Sequence, residues 1–285
     1  FSLYIKQYSA SKLRSINLAT LFPSRYVNII VGNNNAGKTS LIEGIYYCSA
    51  LKSFKAVQTE TLIQKNENSF KLLLKAVKCG DNLDIYTEKS LSSPKIVKVN
   101  EKKVTTKILL LTLPCIALSF GIENIIIQSS EQRRGFLDWG SFHVEPKHLT
   151  NFKNFTRSLK QRNSLLKKSN TINIDYWTKE VFKHGLLVHE QRNEYFIDLN
   201  REFINYTDKL INFDKSAYDD IKNTTIDYYK GWDKEVGLDE ALINSLNKDK
   251  AIKHTSVGPH RGDLLFSVNG TDLKNISSMS TQIII

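Results

Sequence analysis

The chain has 285 residues, of which 41% are hydrophobic and 24% charged, a composition typical of a soluble globular protein with one large core or two domains. No window approaches 18 uninterrupted apolar residues and the first residues lack a signal-peptide pattern, so neither a transmembrane helix nor a secretory leader is expected. A net charge of +11 and three cysteines without metal-ligand spacing favour a cytoplasmic protein with a polyanionic partner such as nucleic acid.

The first 50 residues are predicted to form three short strands and one helix. Alternating polar and apolar residues indicate strands at 2–8 and 16–21, and an apolar, β-branched run indicates a third strand at 27–31. A helical pattern then continues to about Ala50.

Residues 32–39 read Gly-Asn-Asn-Asn-Ala-Gly-Lys-Thr and match G-x-x-x-x-G-K-[ST], the phosphate-binding P-loop, between a predicted strand and a predicted helix. Glycines let the backbone wrap closely around an anion, while loop N–H groups and the helix N-terminus point at the phosphates. The motif predicts a nucleoside triphosphate site in which Lys38 contacts the outer phosphates and Thr39 ligates Mg²⁺. The predicted site comprises nine residues: Gly32, Asn33, Asn34, Asn35, Ala36, Gly37, Lys38, Thr39 and Ser40.

Further strands are predicted before residue 130, at 70–77, 83–87, 96–99 and 114–119. The first two form a hairpin across a turn-rich cluster at 78–82, and another turn is expected at Asn100-Glu101. The sequence then becomes mostly helical from about 131 to 249, with long polar–apolar repeats at 148–168, 176–205 and 218–230. Strands are expected again at 252–257 and 264–268. We therefore expect an α/β head formed by residues 1–130 and 251–285, with a helical arm inserted at residues 131–250.

The basic excess is concentrated in residues 1–130, which contain 17 Lys and Arg against 8 Asp and Glu, whereas residues 131–250 contain 20 against 19. The nearly neutral arm nevertheless contains a run from Lys153 to Lys168 without any acidic residue. Five basic residues of this run share one side of the predicted helix: Lys153, Arg157, Lys160, Lys167 and Lys168. They are candidates for contact with DNA phosphates, and a plain solvated face is the equal alternative.

Several motifs, in order along nearly the whole chain, resemble those of the RecF family, the bacterial gap-repair ATPases related to SMC proteins. Residues 159–167 read LKQRNSLLK and match LKQRNxLLK; residues 258–264 read GPHRGDL and match GPHRxDL. Residues 129–138, SSEQRRGFLD, are similar to SPxxRRxFLD. Shorter similarities occur at 12–14, 39–43, 52–55 and 113–127. Residues 52–55 read KSFK, where the family has RSFR.

The resemblance implies an ABC-type P-loop ATPase head with an inserted α-helical arm. It implies that the protein binds ATP and Mg²⁺ and forms a homodimer with ATP, since the signature segment of one subunit completes the site of the other. It further implies slow, DNA-stimulated hydrolysis and binding at DNA gaps or single-strand to double-strand junctions. Recombination-mediator proteins and the RecA recombinase are the implied partners.

The resemblance also assigns roles outside the loop. Arg14, in the segment at 12–14 that matches the family's strand–NFR–strand opening, is assigned to nucleotide binding. Gln128 lies where ABC-type heads have a glutamine that reaches the metal and the nucleophilic water. Ser280 and Gln282 fall at the signature. Four residues are expected at the nucleotide or dimer face: Arg133, Arg134, His260 and Arg261.

Ion pairing is the alternative for some of these residues. Arg134 and Asp138 have the i,i+4 spacing of a helical pair, and Asp263 is close enough in sequence to pair with Arg261. Arg162 and its neighbours in LKQRN are expected to be structural.

The chain departs from the family pattern in two places. Asn35 stands where the family has glycine, and asparagine tolerates the left-handed conformation better than most residues. The signature lacks its glycine at 279–282, and the Walker B segment is not found. A non-hydrolysing, ATP-sensing DNA-binding protein and another SMC-like head of nuclease or phage type therefore stay open. A small-molecule kinase or GTPase is disfavoured by the basic head and the inserted arm.

Overall fold

The computed structural model describes residues 3–56, 58–117, 125–168, 172–213 and 223–275. The chain forms two compact units, Phe1–Leu118 and Ser119–Ile285. These bounds differ from the predicted ones at 130 and 250. The return to β structure after residue 251 belongs to the unit that contains the helices, because its main strand pairs with a strand that follows the longest helix.

The first unit is built on a six-stranded antiparallel sheet in the order β2-β1-β3-β4-β5-β6. Its strands are β1 (Leu3–Leu13), β2 (Ile16–Leu21), β3 (Ser69–Lys78), β4 (Asp81–Ser90), β5 (Ile96–Val99) and β6 (Lys102–Lys103). Two helices accompany it, α1 (Lys38–Ala50) and α2 (Thr106–Thr112). The predicted strands at 16–21, 70–77, 83–87 and 96–99 are thus confirmed.

Turn chemistry explains the two hairpins of this sheet. The β3–β4 turn has positive φ at Cys79 (52°) and Gly80 (96°), and the β5–β6 turn has positive φ at Asn100 (47°) and Glu101 (67°). Two-residue turns with positive φ at both positions match the right-handed twist of the paired strands. The predicted turns at both places are therefore confirmed.

One face of the sheet packs against α1 to form the core of the first unit. Alternate strand residues such as Tyr8, Leu72 and Leu74 are buried there, because successive side chains of a strand point to opposite faces. A Cβ added at Gly44 would lie 1.9 Å from Oη of Tyr8, so glycine is what lets the helix approach the sheet this closely. Each fully buried leucine contributes about 1.5–3 kcal/mol of transfer free energy.

Two strand predictions in this unit are wrong. Residues 27–31 have no sheet partner among the described strands, and Val27, Ile29 and Val31 are 75%, 82% and 84% exposed. An apolar, β-branched run forms a strand only where a neighbour accepts its backbone hydrogen bonds, and the described part of the chain places none beside it. Residues 114–117 are irregular, and residues 118–119 of that prediction lie outside the described residues.

The second unit combines helices with a three-stranded antiparallel sheet in the order β7-β8-β9. Its helices are α3 (Ser130–Val144), α4 (His148–Lys167), α5 (Ile174–Phe213), α6 (Leu238–Asn244) and α7 (Leu246–Ile252). Its strands are β7 (Thr224–Tyr229), β8 (Asp263–Val268) and β9 (Thr271–Asp272). The strand predicted at 264–268 is confirmed. The helix predicted at 218–230 is wrong in its described part, where β7 pairs with β8.

The strand predicted at 252–257 is also wrong. Backbone N–H groups that would pair with a neighbouring strand are hydrogen-bonded to side chains instead. Thr255 N–H donates to Oδ1 of Asn163 at 2.8 Å, and Ser256 N–H donates to Oδ1 of Asp249 at 2.9 Å. The segment is therefore a loop held by α4 and α7. Apolar clusters pack α4 and α5 around Phe155 and Val181, and pack α3 and α5 around β8.

Within the described residues, no helix combines the length and apolarity needed to cross a membrane.

Candidate nucleotide site and basic surface

The P-loop leads directly into α1. Gly37 is the N-cap with φ of 86°, no side chain caps the helix, and its first turn contains no acidic residue. The first N–H groups of a helix have no partner within the helix, so this end presents donors and a partial positive charge to an anion. Residues 32–36 of the loop are exposed.

Lys38 lies against the loop itself. Its Nζ donates to the carbonyl oxygens of Gly32 and Asn33, both at 2.7 Å. The loop is closed on itself by the N–H of Ala36, which donates to the same Asn33 carbonyl at 3.2 Å. The ammonium is thus held at the mouth of the loop, beside exposed backbone amides. This donor set fits a polyphosphate, with Lys38 reaching its outer phosphates.

Asn35 has φ of 63°, the left-handed conformation that we expected it to tolerate in place of glycine. Gly37 packs against the β1–β2 turn, since an added Cβ would lie 3.2 Å from Cγ1 of Ile16. The loop therefore forms with an asparagine at this position, and the β1–β2 turn supports it from behind.

Thr39 is exposed at the start of α1, whereas Ser40 is buried. The residues present fit Mg²⁺ only in part: Thr39 would supply one hydroxyl ligand. Nowhere in the described ranges are three or more His, Cys, Asp or Glu residues grouped so as to hold a metal ion. The assignment of Thr39 to Mg²⁺ stays a prediction.

Arg14 pairs with a carboxylate on the P-loop helix. Its Nε and Nη2 donate to the two carboxylate oxygens of Glu43 at 2.5 and 2.9 Å, and Glu43 is buried in α1. This bidentate pair joins the β1–β2 turn to the P-loop helix, and the assignment of Arg14 to nucleotide binding stays a prediction. Sequence reasoning missed Glu43, although a lone carboxylate on the buried side of a helix signals a partner.

Gln128 belongs to the second unit, where its backbone carbonyl accepts a hydrogen bond from Nη1 of Arg133 at 2.5 Å. Its assignment to the metal and water stays a prediction. Ser280 and Gln282, assigned to the signature, lie outside the described residues.

Arg133 forms a buried ion pair with Asp263, and its expected place at the nucleotide or dimer face stays a prediction. The residue is buried, and its Nε and Nη2 donate to the two oxygens of Asp263 at 2.7 and 2.6 Å. Its Nη1 also donates to the carbonyls of Ile126 and Gln128. The pairing of Asp263 with Arg261 that we considered is therefore not formed.

Asp138 pairs with Arg192 rather than with Arg134. Arg192 donates to both carboxylate oxygens at 2.7 and 2.9 Å, and Nε2 of His148 lies 2.9 Å from Oδ1. Burial alone would raise the pKa of Asp138, but the His148 hydrogen bond and the Arg192 charge hold it below its usual value. Arg134 instead donates to the carbonyl of Gly262 at 2.9 Å, and desolvation together with Arg192 lowers its pKa.

His260 and Arg261 lie in a short 3₁₀ turn at Pro259–Arg261. The His260 Nε2 is 3.0 Å from the Thr255 carbonyl, and burial, with Arg261 and Arg134 nearby, lowers the His260 pKa to about 4. His260 is therefore neutral at pH 7, and its expected place at the nucleotide or dimer face stays a prediction. Arg261 is exposed, and its Nη2 donates to the Thr255 carbonyl at 3.5 Å.

The basic residues predicted on one side of a helix do lie on one face of α4. All five are exposed: Lys153, Arg157, Lys160, Lys167 and Lys168. With about 100° of rotation per residue, they fall within a sector of about 100°, opposite the buried Phe155 and Leu166. α4 has no acidic residue, and none of the five is ion-paired within the described residues. This basic face extends over about 22 Å.

Arg162 belongs to the same sequence run but points inward and is fully buried. Its Nη1 donates to Asp249 at 2.7 Å and to Thr255 at 2.7 Å, and its Nε donates to Thr178 at 2.9 Å. The structural role expected for the LKQRN segment thus has a specific form: Arg162 ties α4 to α7 and to the loop after it. Sequence reasoning did not identify Asp249, because it lies 87 positions away.

Comparison with known proteins gives a consistent result. No protein-family model matches the sequence. The chain is 32% identical over 273 residues to the DNA replication and repair protein RecF of Psychromonas ingrahamii, covering 94% of this chain and 73% of that protein. It is 29% identical over 284 residues to the RecF protein of Pseudomonas aeruginosa, covering 98% and 74%.

The fold is similar to that of two solved structures. A recombination mediator protein RecF with ATP, described as part of the RecFOR pathway, superposes with a TM-score of 0.82 at 24% identity, covering 99% of this chain and 78% of that one. The Smc head domain of Pyrococcus furiosus, solved with an extended coiled coil, gives 0.52 at 14% identity, with coverage of 99% and 78%. The predicted fold, an ABC-type ATPase head with a helical arm, is confirmed.

Proposed function

This chain belongs to the RecF family of DNA replication and repair proteins, and we propose that it is an ATP-dependent DNA-binding protein that clamps DNA as a homodimer. The observation that carries the proposal is the arrangement at α1. An uncapped helix N-terminus, an exposed loop and the Lys38 ammonium lie together at the start of α1, and this donor set supports a polyphosphate site.

ATP binding is supported by the chemistry of this site and by the solved RecF protein that contains ATP. Lys38 would neutralise the outer phosphates, loop amides would orient them, and the Thr39 hydroxyl would ligate the Mg²⁺ that offsets their charge. Family membership extends the proposal to slow, DNA-stimulated hydrolysis of ATP.

DNA binding is supported by the basic face of α4. Lysines and arginines that contact phosphates release counterions and give affinity without base specificity. The face is about 22 Å long, and one DNA strand rises about 3.4 Å per phosphate, so it can follow about six phosphates. Gapped or junction DNA is the proposed substrate, and mediator proteins and RecA are the proposed partners by family membership.

Light scattering of the full-length protein with ATP, with ADP and without nucleotide tests the proposal. Lys38→Met is the matched variant, because it removes the ammonium while keeping a similar unbranched side chain. A dimer that forms with ATP and is lost in Lys38→Met supports the clamp. A monomer under all conditions, with ATP bound, would contradict it and favour a small-molecule P-loop enzyme.

DNA binding has its own test, the salt dependence of affinity for a labelled gapped duplex. Replacing Lys153 and Lys160 by Ala should reduce the slope of log K against log salt by about 2. The control replaces Lys179 and Lys183, two exposed lysines on α5, and should change the slope less. Equal effects of the two variants would show that general charge, not the α4 face, determines binding.

A further inference from the structure

A second basic feature lies in the first unit, in the loop that follows α1. Residues 52–55 read Lys-Ser-Phe-Lys, and neither the P-loop nor the α4 face accounts for them. Lys52 and Lys55 are exposed, and neither is ion-paired within the described part of the chain. Residues 44–59 contain no acidic residue at all.

The acidic residues that flank this segment are neutralised by other partners. Glu43 carries the bidentate pair with Arg14, and Glu60 lies 2.9 Å from Nζ of Lys89. The first unit as a whole has 17 Lys and Arg against 7 Asp and Glu, a net charge of +10, whereas the remaining residues have 23 against 22. The positive charge of Lys52 and Lys55 is therefore uncompensated locally and lies in the more basic unit.

Hydrogen bonds and ring packing fix the conformation of this exposed loop. Ser53 Oγ donates to the Glu43 carboxylate and accepts the N–H groups of Lys55 at 2.9 Å and Ala56 at 2.6 Å. Phe54 packs edge-on against Tyr46 of α1, with ring centroids 5.7 Å apart. These contacts fix the turn that displays both lysines.

A cleft of about 440 Å³ opens at this turn. It is lined by Lys52, Ser53, Phe54, Lys55, Ala56 and Thr59. Two ammonium groups and a threonine beside a fixed aromatic ring form a surface that suits phosphate oxygens. Because the ring of Phe54 is half-buried against Tyr46, the cleft offers charge and not a stacking platform for bases.

We propose that Lys52 and Lys55 bind phosphates of the DNA backbone, and that Glu43 makes this contact respond to the nucleotide at the P-loop. The proposal rests on the DNA binding proposed above. Glu43 is five positions after Lys38 in the same helix, about 7.5 Å along its axis. A displacement of the first turns of α1 by bound phosphates is carried through Glu43 to Ser53, which sets the loop.

DNA is favoured over a second nucleotide as the occupant. A triphosphate already has the P-loop, with backbone amides and a helix N-terminus to wrap it. The Lys52–Lys55 loop offers two separate point charges and no comparable cradle, an arrangement suited to successive phosphates of a strand. The Coulomb attraction to DNA is enhanced by the net charge of the first unit.

The experiment measures the affinity of the full-length protein for a fluorescein-labelled gapped duplex by anisotropy, over a salt series, with ATP and with ADP. One variant replaces Lys52 and Lys55 by Ala. The matched control replaces Lys102 and Lys103 by Ala, which removes the same charge from exposed positions in the same unit. A third, Ser53→Ala, keeps every charge and removes the link to Glu43. A fluorescent ATP analogue reports nucleotide affinity and folding for each protein.

The Lys52/Lys55 variant should reduce the salt slope by about 2 and leave ATP affinity unchanged, while the control reduces the slope by less. Ser53→Ala should weaken DNA binding in the presence of ATP, so that the DNA affinities measured with ATP and with ADP become similar. Equal losses in the two lysine variants would overturn the proposal, as would unchanged DNA affinity in both. Loss of ATP affinity alone would assign the loop to the nucleotide. Failure of the unmodified protein to bind DNA would instead refute the proposed function.

Discussion

Replacing Arg162 by methionine isolates the interaction that holds the helical unit together. Arg162 and Asp249 are both fully buried, 2.7 Å apart, and join α4 to α7. Methionine keeps much of the side-chain volume and removes the charge. Asp249 is then left as a buried carboxylate without a cation, so we expect strong destabilisation.

The structure sets the expected magnitude. Breaking a buried ion pair by removing one partner costs about 3–5 kcal/mol. Asp249 would keep donors from Ser256 N–H at 2.9 Å, Ser256 Oγ at 2.6 Å and Ser245 Oγ at 3.2 Å. These neutral donors stabilise the remaining charge, so we expect the lower end, about 3 kcal/mol.

The assay is urea-induced unfolding followed by tryptophan fluorescence. All three tryptophans, Trp139, Trp177 and Trp232, belong to the second unit, so the signal reports on the unit that contains the pair. Asp249→Asn completes a double-mutant cycle. Each single substitution should cost about 3 kcal/mol, and the double variant should cost little more than one of them.

Two results would refute this reasoning. One is a loss below about 1 kcal/mol for Arg162→Met, the size expected of an exposed pair. The other is additivity, because independent costs would show that the two charges do not stabilise each other across the α4–α7 contact.

Three further predictions use the same fluorescence signal. Gly140→Ala should destabilise the fold, since the added Cβ would lie 2.1 Å from the Tyr195 ring. Gly135→Ala in the same helix meets nothing within 4 Å and should stabilise the fold by about 0.5–1 kcal/mol. Similar effects of the two substitutions on the free energy of unfolding would contradict the close approach of α3 and α5. His260 has a pKa lowered from 6.5 to about 4, so the unfolded state binds a proton more readily and stability should fall by at most about 3 kcal/mol as pH drops from 6.5 towards 4. His260→Gln should flatten this pH dependence of the free energy of unfolding. Asp138 has a lowered pKa, so its contribution to stability should be present at pH values above its unfolded-state pKa of about 3.8 and be lost as pH falls below it. Asp138→Asn should remove this acid-dependent part of the stability. An unchanged acid unfolding transition in that variant would argue against the pairing with Arg192 and His148.

Local patterns in the sequence predicted the features that depend on neighbouring residues. The helix that follows the P-loop, the turns at Gly80 and Asn100, and the division of α4 into a basic and a buried face were all predicted correctly. Turn conformation depends on whether a residue tolerates positive φ, and the faces of a helix follow from its period of 3.6 residues. Both features are therefore determined by local sequence.

The tertiary structure decided everything that depends on distant partners. The run at 27–31 has strand composition, but in the described structure its side chains stay exposed without a paired neighbour. Asp138 pairs with Arg192, 54 positions away, rather than with the nearer Arg134. Asp263 pairs with Arg133, 130 positions away, rather than with the nearer Arg261. The choice among several aspartates depends on which elements pack together, because a charge is stabilised in the interior only by the partner that the fold brings within hydrogen-bond distance.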